Sequence, residues 1–425
     1  MIIEKIRQIW KIRDLRNSIL FLLAMLVLFR VASHVPVPGV DLAALKDFFD
    51  SNDVLGLISV FSGGSMATFS IVALGVGPYI TASIIFQLLA MVVPRLEEIQ
   101  KDGPSGQARI SQWTRMLTVP LAALQAYSMI HLLRSSGRQI IGDLSVLDYV
   151  TTIMVMTAGT VFIMWIGELI TERKIGNGIS ILIFANIVDR IPQAIQQAIV
   201  SFEPSQIIIW AAFLAIAVIT VASVVFVSEG QRNLPVVYAR RLRGGQSFGG
   251  VETHLPLRVN MAGVIPIIFA ISIVLLPPMV AQFFVGAKSA WVASTAEWII
   301  AVSQNQWLYG LTYFVLVFAF TYFYTAVVFH PDRVAENLQK QGGFIPGIRP
   351  GQPTVEHIQR TVNRIMPFGA AFLATVAVLP LALQGFTDTQ FLVIGGTGLL
   401  IVVSVVIEMV NQIKAQLVMR EYDSV

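Results

Sequence analysis

The chain has 425 residues, of which 55% are hydrophobic and 13% charged, and its mean hydropathy is +0.73. A soluble domain carries about 25% charged residues, so this composition excludes an ordinary soluble protein and predicts an all-α polytopic membrane protein. With no cysteine, disulfide and thiolate chemistry are excluded as well. The basic amino-terminal stretch precedes an apolar run that no small-residue cleavage site follows, which predicts a retained first span rather than a signal peptide.

Ten apolar runs approach the length of about 20 residues that a helix needs to cross a bilayer. They lie near residues 18–35, 76–93, 113–133, 149–169, 179–199, 206–228, 262–285, 307–329, 366–384 and 391–413. With the amino terminus in the cytosol, 23 of the 29 Lys and Arg fall in cytosolic segments. Cytosolic loops are enriched in Lys and Arg, so we predict ten spans with both termini in the cytosol.

The stretch 61–94 joins a broken segment to a spanning helix. Ser and Gly fill positions 62–65, and Gly75, Gly77 and Pro78 interrupt the chain again before the second predicted span. A backbone broken in this way has unsatisfied polar groups, so it must lie inside protein or beside water. The segment is therefore either a re-entrant packing element or a movable stopper in an aqueous path.

The fifth predicted span is apolar in its first half and polar in its second. Asp189, Arg190 and Pro192 begin the polar half, and Gln193, Gln196 and Gln197 continue it. Charged side chains are costly against lipid, so this half is predicted to face the bundle interior or water. Any central path should run between the second and fifth spans.

Two connections are unusually long, 229–258 and 331–364. Each carries five Lys or Arg together with Gly and Pro turn signals, and the first also contains apolar residues that could anchor a fold. We interpret both as structured cytosolic hairpins that act as docking surfaces. The alternative, ordinary cytosolic positive charge, explains their sign but not their length.

The sequence lacks the patterns of an enzyme or of a cofactor-binding protein. The glycines at 244–250 are not followed by Gly-Lys-Ser/Thr, and the five histidines are scattered without metal-ligand spacing. We therefore predict no enzymatic activity, no cofactor and no metal. A secondary transporter of a small solute, with discontinuous helices, is the alternative function, but the predicted midplane positions are almost purely aliphatic.

Five segments resemble the bacterial SecY family, the channel subunits of the Sec protein translocon. They are GVGPYITASIIFQLL (75–89), ITERKIGNGISILIFANIV (170–188), HLPLRVNMAGVIPIIFA (254–270), GGFIPGIRPGQPT (342–354) and GGTGLLIVVSVVIEM (395–409). The resemblance covers essentially the whole chain in the family's order. One departure is Gln352, where that family more often has Glu.

The resemblance implies two pseudo-symmetric halves of five spans each, 1–200 and 205–425, around a central hourglass pore. It also implies a constriction of aliphatic side chains from four spans, which are Val76, Ile80, Ile183, Ile187, Ile268 and Ile401. Such a ring is too apolar to hold a file of ions, yet it can part around an extended chain. At any single position, ordinary core packing explains the residue equally well. Val403 is expected to face lipid on the tenth span.

The resemblance further implies a half-helix plug over about residues 61–74. Its first ten residues are Phe61, Ser62, Gly63, Gly64, Ser65, Met66, Ala67, Thr68, Phe69 and Ser70. Small and hydroxyl side chains predict weak packing and easy displacement. A lateral gate is expected between the second, third, seventh and eighth spans, with a polar seam of Thr81, Gln87, Gln125 and Asn260.

The resemblance also implies docking arginines and partners. The arginines are Arg240, Arg241 and Arg243 in the first long connection and Arg349 in the second. The implied partners are the small membrane subunits SecE and SecG, the SecA ATPase, the ribosome with its RNA, signal-sequence-bearing polypeptides and membrane lipids. The implied location is the bacterial cytoplasmic (inner) membrane. An insertase or scaffold without a through-pore is a third possibility.

Overall fold

A computed structural model of the chain shows a helical membrane bundle with a small β-sheet between two of its helices. The structure describes residues 10–37, 40–41, 44–45, 68–135, 145–200, 207–238, 241–243, 246–248, 252–282, 284–285, 289–387 and 393–423.

In the described residues, strands occur at two places along the chain, four between Glu229 and Ile265 and one between Lys340 and Gln352. The helices are α1 (Arg13–Ser33), α2 (Gly77–Val92), α3 (Pro94–Lys101), α4 (Pro104–Ser135), α5 (Val146–Glu172), α6 (Gly178–Val200), α7 (Ile207–Glu229), α8 (Ile265–Gln282), α9 (Ala290–Gln304), α10 (Gln306–Val328), α11 (Pro331–Lys340), α12 (Gln352–Thr387) and α13 (Val393–Asp423). The strands are β1 (Gln231–Tyr238), β2 (Arg241–Arg243), β3 (Gln246–Phe248), β4 (Glu252–Arg258) and β5 (Gly343–Phe344).

Each predicted span overlaps one helix, and these helices are α1, α2, α4, α5, α6, α7, α8, α10, α12 and α13. In the described residues, five helical segments are long and apolar enough to cross a membrane alone, namely Arg13–Ser33, Val146–Glu172, Gln306–Lys340, Gln352–Leu379 and Gly398–Leu417. The bent pair of α2 and α3 would add a sixth. The chain is thus a multi-pass, all-α membrane protein.

The end of α2 is set by a proline. The chain turns by 108° between Gly77–Val92 and Pro94–Gln100. Pro94 has no backbone N–H to continue the helical ladder, and it pushes Val93 to an extended conformation with ψ of 108°. The helix of the second span therefore ends at Val92, one residue before the predicted end at 93.

One large apolar cluster holds the bundle together and draws side chains from α1, α2, α5, α6, α7, α8, α10, α12 and α13. Several buried threonine hydroxyls in these helices are satisfied locally; for example, Thr160 and Thr321 donate to the carbonyls of Met156 and Val317 at 3.1 and 2.7 Å. A threonine that bonds four residues back exposes no polar group to lipid. Because these hydroxyls bond within their own helix, the contacts between helices are mainly apolar.

The polar half of the fifth span is partly paired. Asp189 on α6 forms an ion pair with Arg30 on α1, and both side chains are about one-third exposed. The pairing agrees with the prediction that this half avoids lipid, because a charge is tolerated in a membrane protein where it meets an opposite charge.

The two long connections fold together. Strand β1 pairs antiparallel with β4, with Leu234 opposite Leu255, and also with β5 from the second connection, with Val237 opposite Phe344. Residues from both connections and from the start of α12 form one small core, which contains Leu234, Val236, Leu257, Ala335, Leu338, Ile345, Ile358 and Val362. In the first connection, β1 and β4 form an antiparallel pair. The second connection does not form a hairpin of its own, because it folds as α11, a turn and the short β5, which completes the same sheet.

Candidate functional site

The six predicted ring residues all lie in the large apolar cluster of the bundle. Val76 directly precedes α2, and the other five lie on α2, α6, α8 and α13. All six are buried within the large apolar cluster, with exposed fractions from 0% for Ile401 to 8% for Ile80 and Ile268. On α13, a Cβ added at Gly398 would lie 3.0 Å from Cγ2 of Ile187 on α6, so the two helices touch at this level. All six are thus part of one continuous buried apolar core.

A cavity of about 400 Å³ opens beside this cluster. Ile80 and Ile268 form part of its apolar wall. The remaining lining is largely polar or aromatic, and consists of Tyr79, Ser83, Gln87, Ser111, Arg115, Glu168, Thr171, Glu172, Asn177, Ile179, Ser180, Ile265, Phe269 and Tyr324. Two of the predicted ring residues therefore line a cavity large enough to hold water.

An ion pair in the lining of this cavity was not predicted from the sequence. Nε of Arg115 on α4 lies 2.7 Å from Oε1 of Glu168 on α5. In the sequence, Arg115 counts only as cytosolic positive charge and Glu168 only as a charge near a span end. Their opposite signs near the same membrane boundary are the one available signal, but it does not fix a pair among several candidates. The pair joins two neighbouring helices in the lining of the cavity.

The end of the predicted plug is packed tightly, so the expectation of weak packing is wrong for residues 69–74. Phe69 is 1% exposed and Val72 is fully buried. Phe69 joins a second apolar cluster with Leu45, Leu74 and Met156, among others. The prediction of weak packing was made from the small side chains of this segment. Small side chains can also let two backbones approach closely, and that gives tight packing.

This segment is also held by backbone hydrogen bonds. The N–H of Val37 donates to the carbonyl of Phe69 at 2.9 Å, and that of Ile71 donates to the carbonyl of Val35 at 3.0 Å. Phe69 adopts a positive φ of 42°, a conformation that costs a non-glycine residue energy and persists where surrounding contacts impose it. Thr68 is exposed at the start of the described segment. The predicted plug residues 61–67 lie outside the described residues.

Two deletions would distinguish the role of the predicted stopper from that of the packed residues that follow it. Removing 62–67 should raise ion conductance in planar bilayers if that stretch blocks a path, while thermal unfolding in detergent stays close to the parent's. Removing 62–72 also takes out Phe69 and Val72, and losing a buried aromatic alone costs about 3–5 kcal/mol, so this variant should unfold at clearly lower temperature. Unchanged conductance after the shorter deletion would contradict the stopper interpretation.

The predicted gate helices meet, but the polar seam is not a set of bonds between helices. Helix α8 packs against both α2 and α4. Thr81 donates to the carbonyl of Gly77 at 3.1 Å and Gln87 to Ser83 at 3.0 Å, both within α2. Asn260 donates to the carbonyl of Gly263 at 3.2 Å, in the turn before α8.

Gln125 is the seam residue that approaches a neighbouring helix. Its Oε1 lies 3.9 Å from the position that a Cβ on Gly77 would occupy, at the start of α2. The surface of α8 toward α2 is apolar, with Ile268 and Phe269 buried. Because few polar groups would lose partners, separating these helices costs mainly apolar contact.

Arg349 stands out among the docking residues because its backbone is fixed while its side chain is exposed. Its carbonyl accepts a 2.9 Å hydrogen bond from the hydroxyl of Thr354, which is 3% exposed. Gly347 and Gly351 flank it with positive φ of 79° and 101°, which only glycine adopts readily. Gln352, the departure noted above, is exposed at the start of α12.

For the other docking arginines, the structure describes only the backbone positions of two. Arg241 and Arg243 lie on β2, opposite Phe248 and Gln246 of β3. Arg240 lies outside the described residues. Strands β2 and β3 form a two-stranded sheet of their own, separate from the sheet of β4, β1 and β5.

Residues 70–410 match the SecY family model. The chain belongs to the SecY family. Among curated relatives, the protein translocase subunit SecY of Streptomyces galbus is 44% identical over 426 residues, and that of Corynebacterium glutamicum is 43% identical over 440 residues. The first alignment covers 96% of each chain and the second 98%.

Solved SecY-family structures share the fold at low sequence identity. A protein-conducting channel superimposes with a TM-score of 0.62 at 18% identity, covering 93% of this chain and 91% of that one. Sec61 in a canine ribosome–channel complex superimposes with a TM-score of 0.59 at 16% identity, with the same coverage. These likenesses establish the polytopic architecture that carries the aliphatic cluster.

Proposed function

We propose that this chain is a protein-conducting channel that translocates polypeptides across a membrane and releases membrane-protein helices laterally into it. The observation that supports the proposal is a buried aliphatic core that contains Val76, Ile80, Ile183, Ile187, Ile268 and Ile401, two of which, Ile80 and Ile268, line a largely polar cavity. Such a cluster excludes hydrated ions when closed, because it offers no partner for their water, yet its side chains can move apart around a polypeptide. The names of the curated relatives support the same function.

The two halves, 1–200 and 205–425, are proposed to part around this cluster. Val76, Ile80, Ile183 and Ile187 would belong to the first half, and Ile268 and Ile401 to the second. The lateral gate would open where α8 leaves α2 and α4, with Thr81, Gln87, Gln125 and Asn260 along it. The mainly apolar contact there suits a signal-sequence helix, which can replace one apolar surface by another at little cost.

The plug is proposed to comprise residues 61–68, with 69–76 as its fixed base. The buried Phe69 and its backbone bonds to Val37 support this division. A firm base lets a short stopper leave the pore and return, because the chain on its carboxyl side stays in place. The boundary therefore differs from the 61–74 that the sequence predicts.

Energy for transport is proposed to come from a bound partner, the SecA ATPase or a translating ribosome, since the sequence carries no nucleotide-binding pattern. SecE and SecG would complete the membrane complex. The proposed location is the bacterial inner membrane with both termini in the cytosol, which the distribution of Lys and Arg supports. Arg240, Arg241, Arg243 and Arg349 would then face the cytosol, where RNA phosphates or acidic protein surfaces could bind them.

Reversing the charge of Arg349 tests the docking surface. Arg349→Glu should sharply reduce SecA-driven transport and precursor-stimulated ATP hydrolysis, while the bundle assembles normally because the side chain is exposed. Arg333→Glu is the matched control, since Arg333 is also exposed in the same connection, on α11. If both variants lost transport and ATP hydrolysis equally, Arg349 would contribute only general positive charge and not a specific docking contact.

Reconstitution tests the function itself. The chain, co-reconstituted with SecE and SecG, should move a secretory precursor into a protease-protected lumen in the presence of SecA and ATP, and should fail without SecA. Ion-dependent uptake of a small solute, with no protected precursor, would favour the transporter instead. Insertion of a membrane protein without any protected precursor would favour an insertase that has no through-pore.

A further inference from the structure

Helix α9 is a surface helix between two spans and is too short to cross a membrane. Its 15 residues give a length of about 22 Å, against a hydrocarbon core of about 30 Å. It packs against α8 and α10, the helices of the seventh and eighth spans. Ala296 is buried on its inner side, where Ile299 and Ile300 are partly buried. The opposite side faces away from the protein.

That outward side carries two exposed tryptophans, which we call the tryptophan face. Trp291 is 77% exposed and Trp298 is 65% exposed. They are seven residues apart, about two helical turns, so they lie on one side of the helix. The neighbouring Ser294 and Thr295 donate their hydroxyls to the carbonyl of Trp291 at 3.1 and 2.8 Å. Their hydroxyls are thus satisfied without water.

We propose that the tryptophan face binds the headgroup region of the lipid bilayer, so that α9 lies in the membrane interface. Tryptophan favours this region because its ring is largely apolar while its N–H needs a polar partner. Ser294, Thr295 and the exposed Glu297 flank the rings, a mixture too polar for the hydrocarbon core. With the orientation proposed above, the leaflet is the outer one.

The exposed apolar surface continues from α9 into the next span. Trp307, in the first turn of α10, is 72% exposed, and Leu311 and Val315 follow on the same side with exposed fractions of 61% and 55%. These residues belong to a helix long and apolar enough to cross the membrane. Because the exposed apolar surface is continuous from α9 to α10, and α10 can cross the membrane, lipid is the one partner that would cover both helices.

The position of α9 gives the contact a consequence for the proposed gate. It packs on both α8 and α10, which form one side of that gate. An interfacial helix resists leaving its depth, because moving its rings into water or into hydrocarbon is unfavourable. The outer ends of α8 and α10 should therefore swing within the membrane plane rather than shift along its normal.

Fluorescence quenching tests this placement and does not depend on transport. Single-tryptophan proteins retaining Trp291 or Trp298, with the other six of the seven tryptophans replaced by Phe, are reconstituted in brominated phosphatidylcholine vesicles. Both should lose most fluorescence when bromine lies near the headgroup. The control is Val218→Trp in the tryptophan-free protein, because Val218 is 61% exposed near the middle of α7. It should be quenched most by bromine deep in the acyl chains.

A spin label gives a second measurement with all tryptophans in place. The chain has no cysteine, so a nitroxide on Ser294→Cys reports one position. Collision with oxygen and with a water-soluble nickel chelate should place it at the interface. Two results would overturn the proposal. One is that aqueous iodide quenches Trp298 as completely as it quenches free tryptophan amide. The other is that a protein partner shields the nitroxide from both lipid and water.

Discussion

Ile401→Asn should let the channel accept precursors whose signal sequences are defective. Ile401 is fully buried in the aliphatic cluster, so the amide would be buried in the closed state without an assured partner. A buried polar group left unpaired costs about 1–3 kcal/mol, whereas an open, hydrated pore would solvate it. A bias of this size shifts the ratio of closed to open channel by roughly 5- to 150-fold. Less signal-binding energy is then needed for opening.

The controls separate pore lining from general damage. Ile401→Leu keeps the cluster apolar and should behave nearly as the parent. Val406→Asn introduces the same amide on α13 at a side chain that is 41% exposed, and it should impair assembly in the membrane without relaxing signal selectivity. Secretion of a signal-defective reporter measures the difference. Equal behaviour of the two Asn variants would mean that Ile401 is ordinary core.

The sequence located the spans well because hydropathy reflects the cost of exposing polar groups to lipid. It located helix ends poorly where a helix continues into water. The third span was predicted at 113–133, whereas α4 covers Pro104–Ser135, and the ninth at 366–384, whereas α12 covers Gln352–Thr387. Charged residues such as Arg109 and Arg360 end the apolar run but not the helix, because Arg is a good helix former.

The proposed pore residues could not be recognised from periodicity. Each of them is aliphatic among many aliphatic neighbours, and only the family resemblance singled them out. The same lack of contrast misplaced Val403, expected to face lipid, which is partly buried against the large apolar cluster. The ion pair of Arg115 with Glu168 was missed for a related reason, since charge pairing depends on helix rotation that hydropathy does not specify.

The packed base of the plug shows what composition leaves out. The segment around Ile71 is buried because it lies against a glycine on another helix, Gly159 of α5. A Cβ on Gly159 would overlap the carbonyl of Ile71 and crowd Val72. Such a pairing of one helix's glycine with a distant backbone is invisible along the chain. Small residues commonly allow close approach within membranes, but their partners are set by the fold.

Gly159→Ala should therefore dislodge the base of the plug. The new methyl group would meet backbone atoms of Ile71, which cannot rotate away as a flexible side chain could. Overpacking of this kind costs about 1–3 kcal/mol, and the segment 69–71 would lose its hydrogen bonds with residues 35–37 if it moved. We expect a lower unfolding temperature in detergent and, with the plug no longer held over the pore, a higher resting ion conductance.

Gly310→Ala is the matched control, because a Cβ there would lie 3.6 Å from Cγ1 of Val378, an ordinary contact between α10 and α12. It should match the parent in both thermal unfolding and planar-bilayer conductance. A Gly159→Ala protein that unfolds early but conducts no more than the parent would mean that the base stabilises the fold without holding a stopper. A Gly159→Ala protein that equals the parent in both measurements would contradict the seating of Ile71 against α5, and with it the fixed base on which the proposed plug depends.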